Sequence, residues 1–273
     1  MGRFLFLVLI SLGLLFFTGC GDFNKLQKSG DLDAKLKGAI QYYENKEYYR
    51  ANVLLEEILP LVKGRADAEK ATFYLANTHY MQKEYVMSSY YFKEYYVTYT
   101  RNEFTEEAVF MHAKSQYMDS PQYNLDQTNT EGAVKYLQEY VNKYPFGKYA
   151  EESTKLLDEL SAKIKKKSYE NAKLYAKTHN YKSAVVAIRA FLETYPDSEY
   201  SDEMYYIRFD SQYLLAKHSV EHKQLERYYE AIEFYHSFVD KYPNSLYLKQ
   251  AEDMYEMCRQ KVKLLSSKSV SIQ

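Results

Sequence analysis

The chain has 273 residues, with 36 Lys and Arg against 37 Asp and Glu, and it is rich in Tyr (32) and Phe (14) but has no Trp, nine Gly and only five Pro. Near-neutral charge lacks the basic excess of a nucleic-acid binder. The shortage of Gly and Pro excludes a β-sandwich, which turns every ten residues or so, and a phosphate-cradling Gly-rich loop. At 46% apolar residues the chain is not disordered, so a Tyr-rich and mostly helical protein remains.

Residues 1–19 read as a signal peptide. Arg3 precedes an apolar run from Phe4 to Phe17 that is shorter than the roughly 20 residues of a spanning helix. The run ends in Phe17-Thr18-Gly19-Cys20, which resembles a bacterial lipobox, with Phe17 where Leu is usual. The resemblance implies cleavage before Cys20 and acylation of its thiol. Two or three acyl chains anchor stably where one does not. Gly21, in place of the Asp that retains lipoproteins at the inner membrane, implies the outer membrane. Residues 20–30 then form a lipidated tether. The other cysteine, Cys258, lies on the stripe Ala251, Met254, Tyr255, Cys258, Val262, Leu265 and reads as a buried small hydrophobe.

Residues 31–265 form a repeat array. Three segments align without gaps, from Ala133 to Pro145, Ala184 to Pro196 and Ala231 to Pro243. Each has Ala, apolar or aromatic residues four and seven positions on, and Tyr-Pro at the end. Positions 0, 4 and 7 share one helix face. The Ala admits a close neighbour and the Pro stops the helix. Two looser copies begin at Ala51 and Ser88. Tyr48, Tyr85, Tyr181 and Tyr228 precede the small residue by three. The pattern is the second-helix half of a tetratricopeptide repeat, so the expected fold is all-α, a helical-hairpin solenoid of about five repeats with a C-terminal capping helix.

The small residues lie 37, 45, 51 and 47 apart, all longer than the standard ~34. The excess sits in a polar insertion at 119–129, a long first helix from Lys148 to about Thr178, and an extension at 217–226. Pro60, Pro145, Pro196 and Pro243 are expected to close or follow helices. Asp197-Ser198 and Asn244-Ser245 are expected N-caps. The capping helix should end near Leu265, leaving 266–273 as a flexible tail.

His218-Ser219-Val220-Glu221-His222 spells the inverted zinc-protease motif, which on one helix would set two ligands four residues apart. It sits at a polar helix end with no pocket-building domain, so it reads as a solvated helix end. The run Lys163, Lys165, Lys166, Lys167 is interleaved with acids and reads as a solvated turn. No catalytic residue, metal site or cofactor is expected.

A lipobox, the Ala…Tyr-Pro repeats, the insertion's Leu125-Asp126-Gln127-Thr128 and the stretch from Tyr144 to Ala150 together resemble the BamD-type outer membrane protein assembly factors. Gly147 stands where that family has Ser. The resemblance covers Cys20 to about Leu265. It implies a non-enzymatic lipoprotein of the β-barrel assembly machinery at the periplasmic face of the outer membrane. Its C-terminal repeats would dock on a BamA-like barrel subunit, alongside other machinery components. Its N-terminal repeats would offer a groove to unfolded outer membrane protein segments. Counting along the first helices puts Leu36, Ile40, Tyr43, Lys70, Phe73, Asn77 and Tyr80 on that groove, with Lys70 facing a terminal carboxylate. The competing reading packs Leu36, Ile40 and Phe73 between helices. Other functions on such repeats are a generic periplasmic scaffold and a SusD-type glycan binder. The latter uses Trp platforms, absent here.

Overall fold

The computed structural model describes residues 19–62 and 64–270, helices joined by turns, bends and irregular links with no strand among them. Residues 1–18, which hold the signal-peptide reading, lie outside these. Twelve helices are described: α1 (Gly19–Gln27), α2 (Leu32–Glu44), α3 (Tyr48–Val62), α4 (Ala66–Met81), α5 (Tyr85–Thr98), α6 (Thr105–Asp119), α7 (Thr128–Lys143), α8 (Ala150–Lys177), α9 (Tyr181–Thr194), α10 (Ser201–Lys217), α11 (Glu221–Lys241) and α12 (Leu248–Val270). From α2 onward they form five hairpins and a terminal helix. The protein is thus an all-α helical-hairpin array of the expected class. It divides into a unit up to Ser161 and a unit from Ala162, and the boundary falls inside α8 rather than in a linker.

The repeat pattern works as its chemistry requires. Ala51, Ser88, Ala133, Ala184 and Ala231 are fully buried. Residues four on (Leu55, Phe92, Leu137, Ile188) and seven on (Ile58, Tyr95, Tyr140, Phe191, Phe238) are buried as well, each contributing roughly 1.5–3 kcal/mol. Tyr235 is only half-buried. The residue before Pro is barred from helical angles. Tyr144, Tyr195 and Tyr242 accordingly end α7, α9 and α11 with φ near −130° and ψ near 63°. Each still donates its N–H to the carbonyl four residues back, on Tyr140, Phe191 and Phe238.

Within three hairpins the first helix ends in a left-handed residue, a position that normally selects Gly. Here it is Lys46 (φ 63°), Lys83 (φ 64°) or His179 (φ 61°). The next N–H reaches back five residues, from Glu47 to Tyr42, Glu84 to His79 and Asn180 to Tyr175. Satisfied end carbonyls offset the left-handed cost.

Three local expectations need correction, and the insertion gains detail. Pro60 lies inside α3, which runs two residues further, because a proline in the last turn deletes one bond rather than a ladder. Ser198 and Ser245 do not cap helices. Their hydroxyls accept from Tyr200 N and Tyr247 N in turns that precede α10 and α12. The insertion at 119–129 is ordered: Gln127 is buried and its amide donates to the carbonyls of Gln122 and Leu125, while Thr130 Oγ1 donates to its Oε1. Finally, α12 continues past Leu265 to Val270, since no Gly or Pro stops it.

The first unit has two cores. One joins α2–α4 around Leu36, Leu54, Leu55, Ile58 and Leu75. The other joins α4–α8 around Phe73, Phe92, Tyr95, Phe110, Leu137 and Tyr140. The tether residues in α1 are packed on α2: Phe23 meets Tyr42 edge-on at 5.6 Å, and Arg50 lies 5.6 Å from each ring centroid. Gly38 makes the approach possible, because a Cβ there would stand 2.3 Å from Leu26 Cδ2.

Polar side chains occupy the seams of this unit. Asn52 Nδ2 lies 3.2 Å from Thr78 Oγ1 and 3.1 Å from His79 Nε2, and His79 Nδ1 lies 2.7 Å from Glu84. Ser88 and Ser115 hydroxyls meet at 3.0 Å. His112 Nδ1 donates to Ser89 O at 2.8 Å, and burial pushes that imidazole down to about 4.

The second unit has one core around Tyr169, Ile188, Phe191 and Met204, and another around Phe209, Tyr228, Phe238, Ala251 and Cys258. Cys258 is fully buried, and desolvation pushes its thiol up to about 12.

Candidate peptide-binding face

The first helices of hairpins one to three repeat at intervals of 37 residues, the same step that separates Ala51 from Ser88. Four rows follow from this step. Leu36, Phe73 and Phe110 form an inward row, 6%, 4% and 1% exposed. Tyr43, Tyr80 and Tyr117 form a half-buried tyrosine row. Asp33, Lys70 and Glu107 form a charged row, and Ile40, Asn77 and Lys114 a mixed one.

The expected groove residues therefore separate. Phe73 stacks on Phe104 at 4.6 Å and lies in the core. Asn77 is 7% exposed and donates to Phe73 O. Leu36 packs in the core, yet with Ile40 it also lines an open cavity of about 420 Å³ rimmed by Lys37 and the Asp33–Arg65–Asp67 ion cluster. Tyr43, Lys70 and Tyr80 reach the open face. Tyr43 stacks on Tyr74 at 4.4 Å with the rings 12° from parallel. Lys70 Nζ sits 5.3 Å from the Tyr74 centroid and has no ion pair among the described residues. Tyr80 meets Tyr85 edge-on at 5.5 Å.

Three charged or aromatic residues of α6, and Tyr74, complete the face and were not anticipated. Lys114 pairs with Glu152 at 2.7 Å, and Tyr117 donates to Glu159. Glu107 acts on Tyr43, whose phenol is pushed up to about 12, first by burial and then by Tyr48, Tyr74 and Glu107. Tyr117 is pushed to about 12 by its bond to Glu159, and Tyr80 is raised by burial. All three phenols stay protonated at neutral pH and remain hydrogen-bond donors. The 37-residue step, carried one repeat further, is the sequence signal for Glu107, Lys114 and Tyr117. Tyr74 carries no such signal.

The remaining motifs have plain settings. The H-x-x-E-H run is broken by structure: α10 ends at Lys217, His218 is its C-cap, and α11 begins at Glu221. The two imidazoles thus do not share a helix. No group of three metal-capable side chains occurs among the described residues. Within the basic run Lys165 pairs with Glu199 at 2.7 Å and Lys166 with Glu170 at 2.9 Å. The backbone of Cys20 is helical, in α1. No helix among the described residues is long and apolar enough to cross a membrane.

The profile of the family described as "YfiO: Outer membrane lipoprotein" matches residues 35–185 and 160–263. The chain belongs to this family. A relative from Helicobacter pylori (strain ATCC 700392 / 26695), the outer membrane protein assembly factor BamD, is 28% identical over 145 residues. That match covers 48% of this chain and 61% of the relative, so the chain spans less than two thirds of that protein's length. Among solved structures, kinesin light chain nearly identical TPR-like repeats from Podosopora anserina match 87% of this chain and 96% of that chain, at 13% identity and a TM-score of 0.32. The YfiO match takes in the five hairpins, apart from the first three residues of α2, and most of α12; of the face just described it leaves out only Asp33.

Proposed function

We propose that this YfiO-family chain is a non-catalytic lipoprotein component of the β-barrel assembly machinery. In this reading residues 1–19 are removed, Cys20 carries the lipid, and the repeats work at the periplasmic face of the outer membrane. The observation that carries it is the family match across the hairpins together with the open aromatic face on α2, α4 and α6. That face joins stacked tyrosines, an unpaired Lys70 and phenolic donors. Such a surface suits an extended segment ending in an aromatic residue and a carboxylate, as unfolded barrel substrates supply. Tyr43, Lys70, Tyr74 and Tyr80 would make contact. Ile40 and Leu36 would take an apolar side chain in their cavity, and Phe73 and Asn77 would hold the face from beneath. The second unit would dock on a BamA-like barrel subunit.

Depletion in the source bacterium tests the reading. Outer membrane barrel proteins should fall, and the chain should copurify with the barrel subunit. Normal barrel levels, with copurification in some other envelope complex, would replace it with a generic scaffold. A peptide ending in Tyr-x-Phe should bind the purified protein, and Lys70→Glu or Tyr74→Ala should weaken it about tenfold by fluorescence anisotropy.

A further inference from the structure

In the second unit, α10 forms the floor of a groove walled by α9 and α11. At one end lies a cavity of about 300 Å³ with Val185, Val186 and Leu215 among its lining residues. Next along the floor, Gln212 donates to Glu230 at 2.6 Å. One helical turn further is Arg208. Its guanidinium lies 4.8 Å from the Tyr205 centroid and 4.4 Å from that of Phe234. At the far end Lys241 donates to Pro196 O at 3.0 Å, tying α11 to the turn after α9.

Arg208 is the anomaly. Its Nε is shielded from solvent and meets no acceptor among the described residues. No carboxylate pairs with it or with Arg189 there, although twelve ion pairs form elsewhere in the described chain. Desolvation chiefly disfavours the half-buried cation, and Arg189, exposed on α9, adds a like charge that does so too. Two aromatic faces offset part of this but leave Nε without an acceptor. A guanidinium set beside two rings fits one partner above all, a carboxylate taken fork to fork by its terminal nitrogens. The site is recessed between two helices, which a protruding side chain enters and a flat bilayer surface does not. Val185, Val186 and Leu215 give the cavity an apolar patch one or two turns away, with Val186 half exposed, and the cations around it outnumber the acids Glu226 and Glu230 by three to two.

We propose that this groove docks an acidic segment of a partner protein, its Asp or Glu carboxylate pairing with Arg208 and Arg189 and an apolar neighbour entering the cavity at Val186. The inference rests on the partner docking that the assembly reading gives the second unit, and deepens it by naming the site and the partner's chemistry. It stands whether or not the aromatic face of the first unit binds barrel segments, and its test does not use that face.

The test is selection of a random displayed-peptide library on the full-length protein extracted in detergent. Enriched peptides should carry Asp or Glu with an aliphatic residue three or four positions away. A synthetic copy should bind about tenfold more weakly to the Arg208→Gln protein, and raised salt should weaken it further. Because Arg208 is partly buried, two surface variants guard against misfolding. Arg189→Glu and Val186→Asp, both at exposed positions, should each cost about tenfold, while Lys263→Glu on α12 should cost nothing. Enrichment without acids, or equal loss from Arg189→Glu and Lys263→Glu, overturns the proposal. So does Arg189-dependent binding of phosphatidylglycerol vesicles with no peptide enriched, which would make the site a headgroup site.

Discussion

The two units share one mould and fill it differently. In the first, the seams between helices hold Asn52, Thr78, His79, Ser88, Ser89, His112 and Ser115, all buried. In the second, the buried side chains are mostly apolar, Phe191, Phe209, Tyr228, Phe238 and Cys258 among them, and its buried polar ones are Ser201, Ser211 and Gln212. The repeat pattern specifies only a small residue and two followers, so it tolerates both solutions. They differ in how they fail. An apolar seam loses stability in proportion to the area removed. A hydrogen-bonded seam contributes modestly when complete and becomes costly when one partner changes state.

The largest expected effect lies in the second unit. Phe238→Ala should destabilise it by roughly 3–5 kcal/mol, because Phe238 is wholly buried in its core. Urea unfolding followed by circular dichroism should show an early transition carrying the signal of one unit only. A single unchanged transition would break the contrast between the units.

Acid should instead strike the first unit. His112 is held neutral by burial, with its folded value near 4 against 6.5 when unfolded. The unfolded chain therefore binds the proton first as pH falls. The stability from this group is complete above pH 6.5, declines between 6.5 and about 4, and is then exhausted, a loss of roughly 3 kcal/mol. Ser89, Gln116, Tyr96, Tyr136 and Lys93 surround the ring, and none supplies a carboxylate to hold a charged imidazole. In the second unit Asp210 works in the opposite sense, since burial raises its carboxyl and the folded state gains its proton first. Hydrogen exchange at pH 7 and pH 5 should show protection falling in α5 and α6 more than in α10. His112→Gln should remove most of that difference.

The smallest effect sharpens the comparison without touching a seam. Lys83→Gly should stabilise the first unit by about 1 kcal/mol, because Gly takes φ 64° without the penalty of a Cβ. The gain would be read as a rise in melting temperature.

Much of this fold is legible in the residues. Alanine, two apolar followers and Tyr-Pro each act through local rules, so five hairpins and their second-helix cores follow from counting. The open face is less legible. Phe73 and Tyr74 are neighbours about 100° apart on one helix, and periodicity does not say which of two adjacent stripes meets the next helix. The charged row at Lys70 and Glu107 could be counted, but the Tyr43–Tyr74 stack could not. The left-handed Lys46, Lys83 and His179 carry no sequence mark, because the usual Gly is missing. The H-x-x-E-H run shows the reverse error, a motif whose spacing matters only if one helix spans it. The polar seams depend on which serine meets which histidine across two helices, a fact of tertiary packing.

Cys258 is free, fully buried and, apart from Cys20, the only cysteine in the chain. Its thiolate is suppressed by burial, so an alkylating reagent reaches it only after α12 separates from α10 and α11. Where closing outruns alkylation, the labelling rate follows the open population; where alkylation is faster, it follows the opening rate itself. The natural thiol is therefore a clock for the breathing of the second unit, and it needs no introduced probe.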